Sequence, residues 1–412
     1  MGGLVHPMGR SGGSARLRDP AEPGRHLAPE RFRVTYRITV SDGRPIEEHA
    51  RDIAIEQTVE TPSDCIPADI AEAGIVGRTE SITMRSSAPK RFDVAISYRC
   101  DLTGFSIPQF LNVLFGNISI KSGIKIVGLD LPESLTEAFG GPLFGIEGVR
   151  STLGVFGRPL ASTALKPVGL TPARLADMAA AYARGGLDLI KEDHGMADLA
   201  YHPFEERVAR CQEAVQEANA RTGRNALFFP MISGGFDVIE AQVAFAKEQG
   251  VRGILTAPLL VGPDTVRVLS RRYGMIVMAH PTFTGTHFHD PAHGITPAVL
   301  LGTLFRLIGA DISVFPNAGG RFSFTEQECR DLADALRKPL GTVKPAFPAP
   351  AGGMKIDRVG GMAEAFGSET VLLIGGALMQ YSRDLEKSAA VFVESIRNHF
   401  GEERREPRRS LS

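Results

Sequence analysis

Four polar side chains stand together at Lys191-Glu192-Asp193-His194, directly behind the apolar pair Leu189-Ile190. Aspartate offers a hard oxygen and histidine a neutral imidazole nitrogen, so the stretch is a candidate metal site. A lysine ammonium cannot bind a cation. Desolvated and neutral, the same amine can add carbon dioxide and present the anionic oxygens of a carbamate. The competing reading is a plain Lys–Asp ion pair at the rim of a fold. Strand side chains alternate, so Lys191 and Asp193 share one face.

Other chemistry-bearing residues also follow short apolar runs. Lys166 comes after Thr163-Ala164-Leu165 and points either into a site or out to solvent. His280 follows Met278-Ala279 and could be a base, a ligand or a satisfied rim residue. Arg321 closes the segment Phe315-Pro316-Asn317-Ala318-Gly319-Gly320. The pairs Gly352-Gly353 and Gly375-Gly376 allow close backbone approach and present N–H groups to an anion such as a phosphate, with tight turns as the alternative. His287, His289 and His293, flanked by Thr286, Asp290 and Pro291, read as a polar loop rather than a metal tract.

The elements that must position these residues form a regular series. Candidate strands are Leu160–Leu165, Leu187–Lys191, Ala226–Met231, Gly253–Thr256, Ile276–Ala279, Ala310–Phe315, Lys344–Phe347 and Val371–Ile374. Helices between them carry end signals: Thr171-Pro172 opens one, which Gly185-Gly186 closes. Asp237 opens a later helix with Gly250 after it, and Thr296-Pro297 precedes a helix over Ala298–Leu307. Eight strand–helix units over residues 146–400 fit an α/β fold closed as a (β/α)8 TIM barrel, whose chemistry sits at the C-terminal strand ends. A doubly wound sheet is the rival, but no G-x-G-x-x-G opens the first helix.

Before the barrel, residues 30–145 mix strands and helices. Phe32–Ile38 and Phe92–Tyr98 alternate apolar and polar residues, the period of half-buried strands. Helices are expected over Thr58–Ile75 and Ile107–Phe115, giving a small α+β domain. Residues 1–29, rich in Gly, Arg and Pro, read as a disordered tail, and 401–412 as a charged one.

Composition removes several function classes. The 412 residues hold 46 Lys plus Arg against 47 Asp plus Glu, so no net charge drives the chain toward nucleic acid or acidic membranes. Cys65, Cys100, Cys211 and Cys329 include no CxxC pair, which excludes a disulfide scaffold and a cysteine zinc ribbon. No apolar run approaches the roughly 18 residues that span a bilayer. The N-terminal segment lacks the apolar core of a secretory signal. A reducing, cytoplasmic setting is the expectation.

Together these segments resemble the large subunit of RuBisCO, and more closely the RuBisCO-like proteins of form IV. The most specific match is Gly185-Gly186-Leu187-Asp188 leading to Lys191 and Asp193. The family reads G-G-x-D-x-x-K-D-D-E there, and its lysine carbamate, aspartate and glutamate bind magnesium. The resemblance implies a carbamate on Lys191 and metal ligation by Lys191, Asp193 and His194. With His194 in the glutamate position, Mn2+ or Fe2+ join Mg2+ as candidates. Lys166 matches the first lysine of a K-P-K motif that moves protons in enolisation; Val168 or a one-residue deletion takes the place of the second. His280 matches the strand-5 histidine, and Pro281 replaces the phosphate arginine that follows it. No strand-6 histidine occurs in Ile312–Phe315, and the lysine loop that holds carbon dioxide is replaced by Asn317–Arg321.

The resemblance further implies phosphate binding at Gly352, Gly353, Gly375 and Gly376, with Arg321 taking a phosphate or carboxylate. It implies a ferredoxin-like N-terminal domain. A homodimer follows too, in which Glu56, Thr61 and Asn117 reach the neighbouring chain's site. Without the loop lysine, carbon fixation is excluded. The expected activity is metal-assisted enolate chemistry on a phosphorylated sugar or sugar acid. Decarboxylation of 3-oxo-isoapionate 4-phosphate is the first choice, because similar proteins share the K-x-D-H strand end and the F-P-N-x-G-G-R-F loop. In that choice Lys166, Lys191 and His280 carry the reaction. The alternatives are a methionine-salvage enolase or isomerase of methylthio-sugar phosphates, which needs an apolar pocket, and a non-catalytic sugar-phosphate-binding regulator.

Overall fold

The structure is a computed structural model that describes residues 29–400. The tails expected at 1–29 and 401–412 lie outside the described residues, Pro29 apart.

The first strand, β1 (Arg31–Thr39), buries Phe32, Val34, Tyr36 and Ile38, as its alternation requires. β2 (Arg78–Ser87), β3 (Lys90–Arg99) and β4 (Ile124–Asp130) complete an antiparallel sheet in the order β4-β1-β3-β2. With helices Ile46–Glu56 and Ile107–Phe115 between strands, the order is β-α-β-β-α-β, the ferredoxin-like arrangement. The Phe32 ring meets Phe110 of the second helix at 5.4 Å, and the Tyr36 hydroxyl donates to the Leu114 carbonyl.

The helix expected over Thr58–Ile75 does not form. Its place is taken by a 3-10 turn at Ser63–Cys65 and a short helix at Ala68–Glu72. Pro62 and Pro67 each immediately precede one of these pieces, and a proline inside a longer helix would remove a hydrogen bond and clash with the preceding turn. A longer helix, Ile46–Glu56, ends just before the segment.

The barrel strands are β5 (Leu160–Leu165), β6 (Leu189–Glu192), β7 (Leu227–Phe229), β8 (Gly253–Thr256), β9 (Ile276–Ala279), then, past the short β10 (Gly294–Ile295), β11 (Ile312–Pro316), β12 (Phe347–Ala351) and β13 (Val371–Leu373). They form two parallel arcs, β13-β5-β6-β7 and β8-β9-β11-β12. One seam is closed by a bridge between Met231 and Leu255. At the other, β12 lies beside β13. β10 leaves the barrel to pair with β4, which extends the N-terminal sheet by one strand.

The seventh barrel strand corrects the sequence reading. It runs over Phe347–Ala351, not Lys344–Phe347, and its sequence is FPAPA. The Phe347 N–H donates to the Asp311 carbonyl on the β11 side. Strand N–H groups alternate between edges, so Pro348 and Pro350 fall on the β13 edge. Their missing donors account for a seam there without a hydrogen-bonded ladder.

Helix starts follow their caps. Thr171 accepts from the Arg174 N–H ahead of helix Pro172–Arg184. The helix expected to open at Asp237 begins at Phe236, with Asp237 in its first turn. Ala298–Leu304 winds as a π-helix before one α turn at Phe305–Leu307. The Ser313 hydroxyl donates to the Leu301 carbonyl of that stretch.

Candidate active site

Short, fully buried strands carry polar residues to one end of the barrel. Lys166 leaves β5, and its Nζ lies 3.1 Å from Asp193 Oδ2. Lys191 is the third residue of β6 and only 3% exposed; its Nζ donates to the Glu192 carbonyl at 2.9 Å. His194 Nδ1 lies 3.2 Å from Asp193 Oδ1. The His280 ring, from the end of β9, stacks on His194 with centroids 4.4 Å apart and planes 8° apart. Thr282 lies beside His280 Nδ1, its Oγ1 2.6 Å away.

One cavity of about 730 Å³ takes in these groups. Lys166, Lys191, Asp193, His194, His280, Arg321, Gly352, Gly353, Gly375 and Gly376 all line it. The Arg321 guanidinium lies over the Phe322 ring at 5.2 Å. Gly352 and Gly353 have φ of 85° and 83°, a left-handed backbone that favours glycine. Gly375 rests on Lys166, whose Nζ is 3.6 Å from the position a Cβ would take.

Burial sets the electrostatics. It pushes the Lys191 amine down to about 8, opposed by Asp193 and aided by Lys166. It pushes the Asp193 carboxyl up, but Lys166 and the Gly195 N–H outweigh it and hold the group below the usual carboxylate range. Burial lowers His194 against the pull of Asp193. It lowers His280 further, with Lys191 adding. Two neutral imidazoles therefore stand beside an ionised carboxylate.

Glu192 corrects the reading of a four-residue polar cluster. It points to the opposite face of β6 and pairs with Arg207 at 2.7 Å, both side chains fully buried. Its other oxygen accepts from the Met231 N–H at 2.8 Å. The candidate ligands are thus Lys191, Asp193 and His194 alone.

Glu56 and Asn117 do meet: Asn117 Nδ2 donates to Glu56 Oε1 at 3.1 Å and to Glu60 Oε1 at 2.7 Å. Neither they nor Thr61 lines the cavity of their own chain. In the histidine-containing loop, His289 faces the cavity, while His293 packs on Phe115 with centroids 5.7 Å apart.

Sequence reasoning missed a second set of lining residues: Thr282, Thr284, Phe288, Phe322, Phe324, Met354, Lys355 and Gln380. Thr282 and Thr284 follow a strand end, and Lys355 lies two residues past the Gly352-Gly353 pair, so position alone could have flagged them. The aromatic residues carry no such signal. Phe288 and Phe324 meet edge to face at 5.4 Å only because two distant loops converge.

A closed parallel barrel with lysine, aspartate and paired histidines at its C-terminal mouth has its polar site where α/β-barrel proteins carry their chemistry. Residues 145–385 match the ribulose bisphosphate carboxylase large chain, catalytic domain. A Rhodospirillum rubrum protein named 5-methylthioribulose-1-phosphate isomerase is 40% identical over 370 residues, 89% of this chain and 96% of its own. A Geobacillus kaustophilus protein named 2,3-diketo-5-methylthiopentyl-1-phosphate enolase is 28% identical over 352 residues, 82% of this chain and 85% of its own. The crystal structure of a Rubisco-like protein from Rhodopseudomonas palustris superposes with a TM-score of 0.82 at 39% identity, covering 92% of this chain and all of that one. The chain belongs to the RuBisCO large-chain family, among its RuBisCO-like members. Among the described residues, no helix is long and apolar enough to cross a membrane.

Proposed function

We propose that the chain enolises and isomerises a phosphorylated keto sugar that carries an apolar tail, of the 5-methylthioribulose 1-phosphate type. The observation that carries this reading is the two-sided cavity. Lys166, Lys191, Asp193, His194 and His280 form a polar floor; Phe288, Phe322, Phe324 and Met354 give an apolar wall. A methylthio group needs such a wall, and aromatic rings receive sulfur favourably. The R. rubrum and G. kaustophilus relatives carry the names of enzymes acting on such sugars. Decarboxylation of 3-oxo-isoapionate 4-phosphate is the second reading. Arg321 and Lys355 on the cavity lining favour it, because both would suit a carboxylate.

Among the described residues no three His, Cys, Asp or Glu side chains are grouped to hold a metal, so a divalent cation would need a carbamate on Lys191 as third ligand beside Asp193 and His194. The carboxylate of Asp193, the imidazole of His194 and the desolvated amine of Lys191 would hold Mg2+, Mn2+ or Fe2+, the amine as a carbamate. When bound, the cation would supply Lewis-acid stabilisation of the charge that enolisation builds on the substrate oxygens. Asp193 holds Lys166 over the floor, where its amine exchanges protons with the carbon next to the carbonyl. The glycine pairs after β12 and β13 would receive the phosphate. The loop after β11 brings Arg321 and no lysine, so the group that stabilises incoming carbon dioxide in a carboxylase is absent from it. The same reading makes the chain a homodimer, with Glu56, Thr61 and Asn117 serving the neighbour's cavity.

The test is turnover of 5-methylthioribulose 1-phosphate with Mg2+ and bicarbonate, by the wild type and Lys191→Ala. The wild type is expected to turn over, and the variant to lose roughly 10³-fold or more in kcat. Binding of the sugar phosphate by both chains with turnover by neither would instead define a binding regulator.

A further inference from the structure

We propose that Thr282 fixes His280 as its Nε2–H tautomer, so that His280 donates a hydrogen bond to the substrate's carbonyl oxygen and is not the base. This rests on the enolisation reading above and assigns a direction to one of its groups.

The Thr282 backbone N–H donates to His280 Nδ1 at 3.2 Å. A backbone N–H can only donate, so the ring nitrogen it meets presents a lone pair. The Thr282 hydroxyl lies 2.6 Å from the same Nδ1 and is free to turn its proton toward it once that nitrogen presents a lone pair. With a backbone donor on Nδ1, the ring's proton sits on Nε2. That nitrogen has no hydrogen-bond partner among the described residues, and the residue lines the cavity.

The ring cannot easily turn to offer its other edge. His194 stacks flat against it at 4.4 Å. The His280 N–H is tied to the Thr256 carbonyl at 2.8 Å. The Pro281 carbonyl accepts from the Thr284 N–H and hydroxyl, so the turn holding Thr282 is itself pinned.

The chemical consequence is a division of labour. When the C–H bond beside the carbonyl breaks, its proton goes to a base. Its electron pair becomes the new C=C bond, and the carbonyl π pair moves to oxygen. A fixed Nε2–H aimed at that oxygen stabilises the charge there, as preorganised donors do. The base is then another group of the floor; Lys166 lines the same cavity and would serve once its ammonium, paired with Asp193, gives up its proton. Thr282 is a positioning residue; His280 touches the reacting oxygen.

The experiment combines 15N-histidine NMR of the intact chain, resonances assigned with His280→Gln, and kinetics of three variants. The expected spectrum shows His280 Nδ1 unprotonated and Nε2 protonated. His280→Gln keeps an N–H donor but removes basicity, and should retain kcat to within about 10-fold, whereas loss of a general base costs roughly 10²–10⁴. Thr282→Val should lower kcat about 10-fold or more with little change in KM, and Thr282→Ser should restore it. A protonated Nδ1, or a His280→Gln variant as inactive as His280→Ala, overturns the proposal. The NMR result needs no substrate, so a wrong substrate class would leave it standing, and a wrong tautomer would leave the substrate class standing.

Discussion

Lys125 Nζ donates to the carbonyl oxygen of Phe288 at 2.9 Å, across 163 residues of sequence. The same ammonium also bonds the Asp290 carbonyl. A buried cation of the N-terminal sheet therefore holds the barrel loop whose phenylalanine walls the cavity. Lys125→Met should free that loop. The expected outcome is a several-fold rise in KM with a smaller change in kcat, and a stability loss of about 1.5–3 kcal/mol for bonds to a charged donor. Steady-state kinetics beside thermal unfolding checks it; an unchanged KM would detach the sheet from the cavity wall.

Glu192 and Arg207 are both fully buried, 2.7 Å apart, behind the strand that presents Lys191. Breaking a buried pair from one side leaves an uncompensated charge. Glu192→Gln should lower unfolding free energy by about 3–5 kcal/mol. The Glu192→Met/Arg207→Met double variant should lose less than the sum of its single variants. Urea denaturation of the four chains closes the cycle, and additive losses would show that the two side chains act independently.

Gly320 sits where a Cβ would overlap the Gly352 carbonyl oxygen, and a Cβ on Gly353 would stand 3.0 Å from the Gly320 Cα. The loop carrying Arg321 thus lies directly on the glycine pair assigned to phosphate. Gly320→Ala should raise KM by about 10-fold or more through displacement of both loops. Gly361, with nothing within 4 Å of its would-be Cβ, provides the control substitution. Equal kinetics for the two alanine variants would remove the loop from substrate binding.

Asp311 accepts from the N–H groups of Phe144, Gly145 and Val277, and so joins the start of helix Gly145–Leu153 to β9. Burial pushes its carboxyl from 3.8 up to about 6, against the three donors. The folded value lies above the unfolded one, so the stabilisation is complete below pH 4 and is lost as pH rises through 6. A change of that size is worth roughly 3 kcal/mol. Between pH 4 and 7 the wild type should lose about that much relative to Asp311→Asn, measured by denaturant unfolding. A gap that widens in the wild type's favour with pH would mean the three donors outweigh burial.

The barrel was largely legible because buried parallel strands read as unbroken apolar runs. Leu160–Leu165, Gly253–Thr256 and Ile276–Ala279 begin and end where the sequence placed them. β2 escaped notice because it is exposed along most of its length and lacks a two-residue period. β12 was misplaced because prolines ordinarily stop a strand, and only the neighbouring edge explains why they are tolerated here. At the site, strand ends located Lys166, Asp193, His194 and His280, since the fold fixes where a strand end points. The alternation that puts Lys191 and Asp193 on one face also puts Glu192 on the other; its buried partner Arg207, on a later helix, was what the local sequence did not show. The apolar wall was illegible, because Phe288, Phe324 and Met354 become neighbours of the floor only through the packing of long loops.

The most direct test of the account incubates the chain with Mg2+ and bicarbonate in D2O. It offers 5-methylthioribulose 1-phosphate and 3-oxo-isoapionate 4-phosphate in parallel, followed by NMR. The expected result is deuterium entering carbon next to the carbonyl of the methylthio sugar and a new isomer accumulating, with no carbon dioxide from the oxo acid. Carbon dioxide release from the oxo acid, with the methylthio sugar left unexchanged, would contradict it.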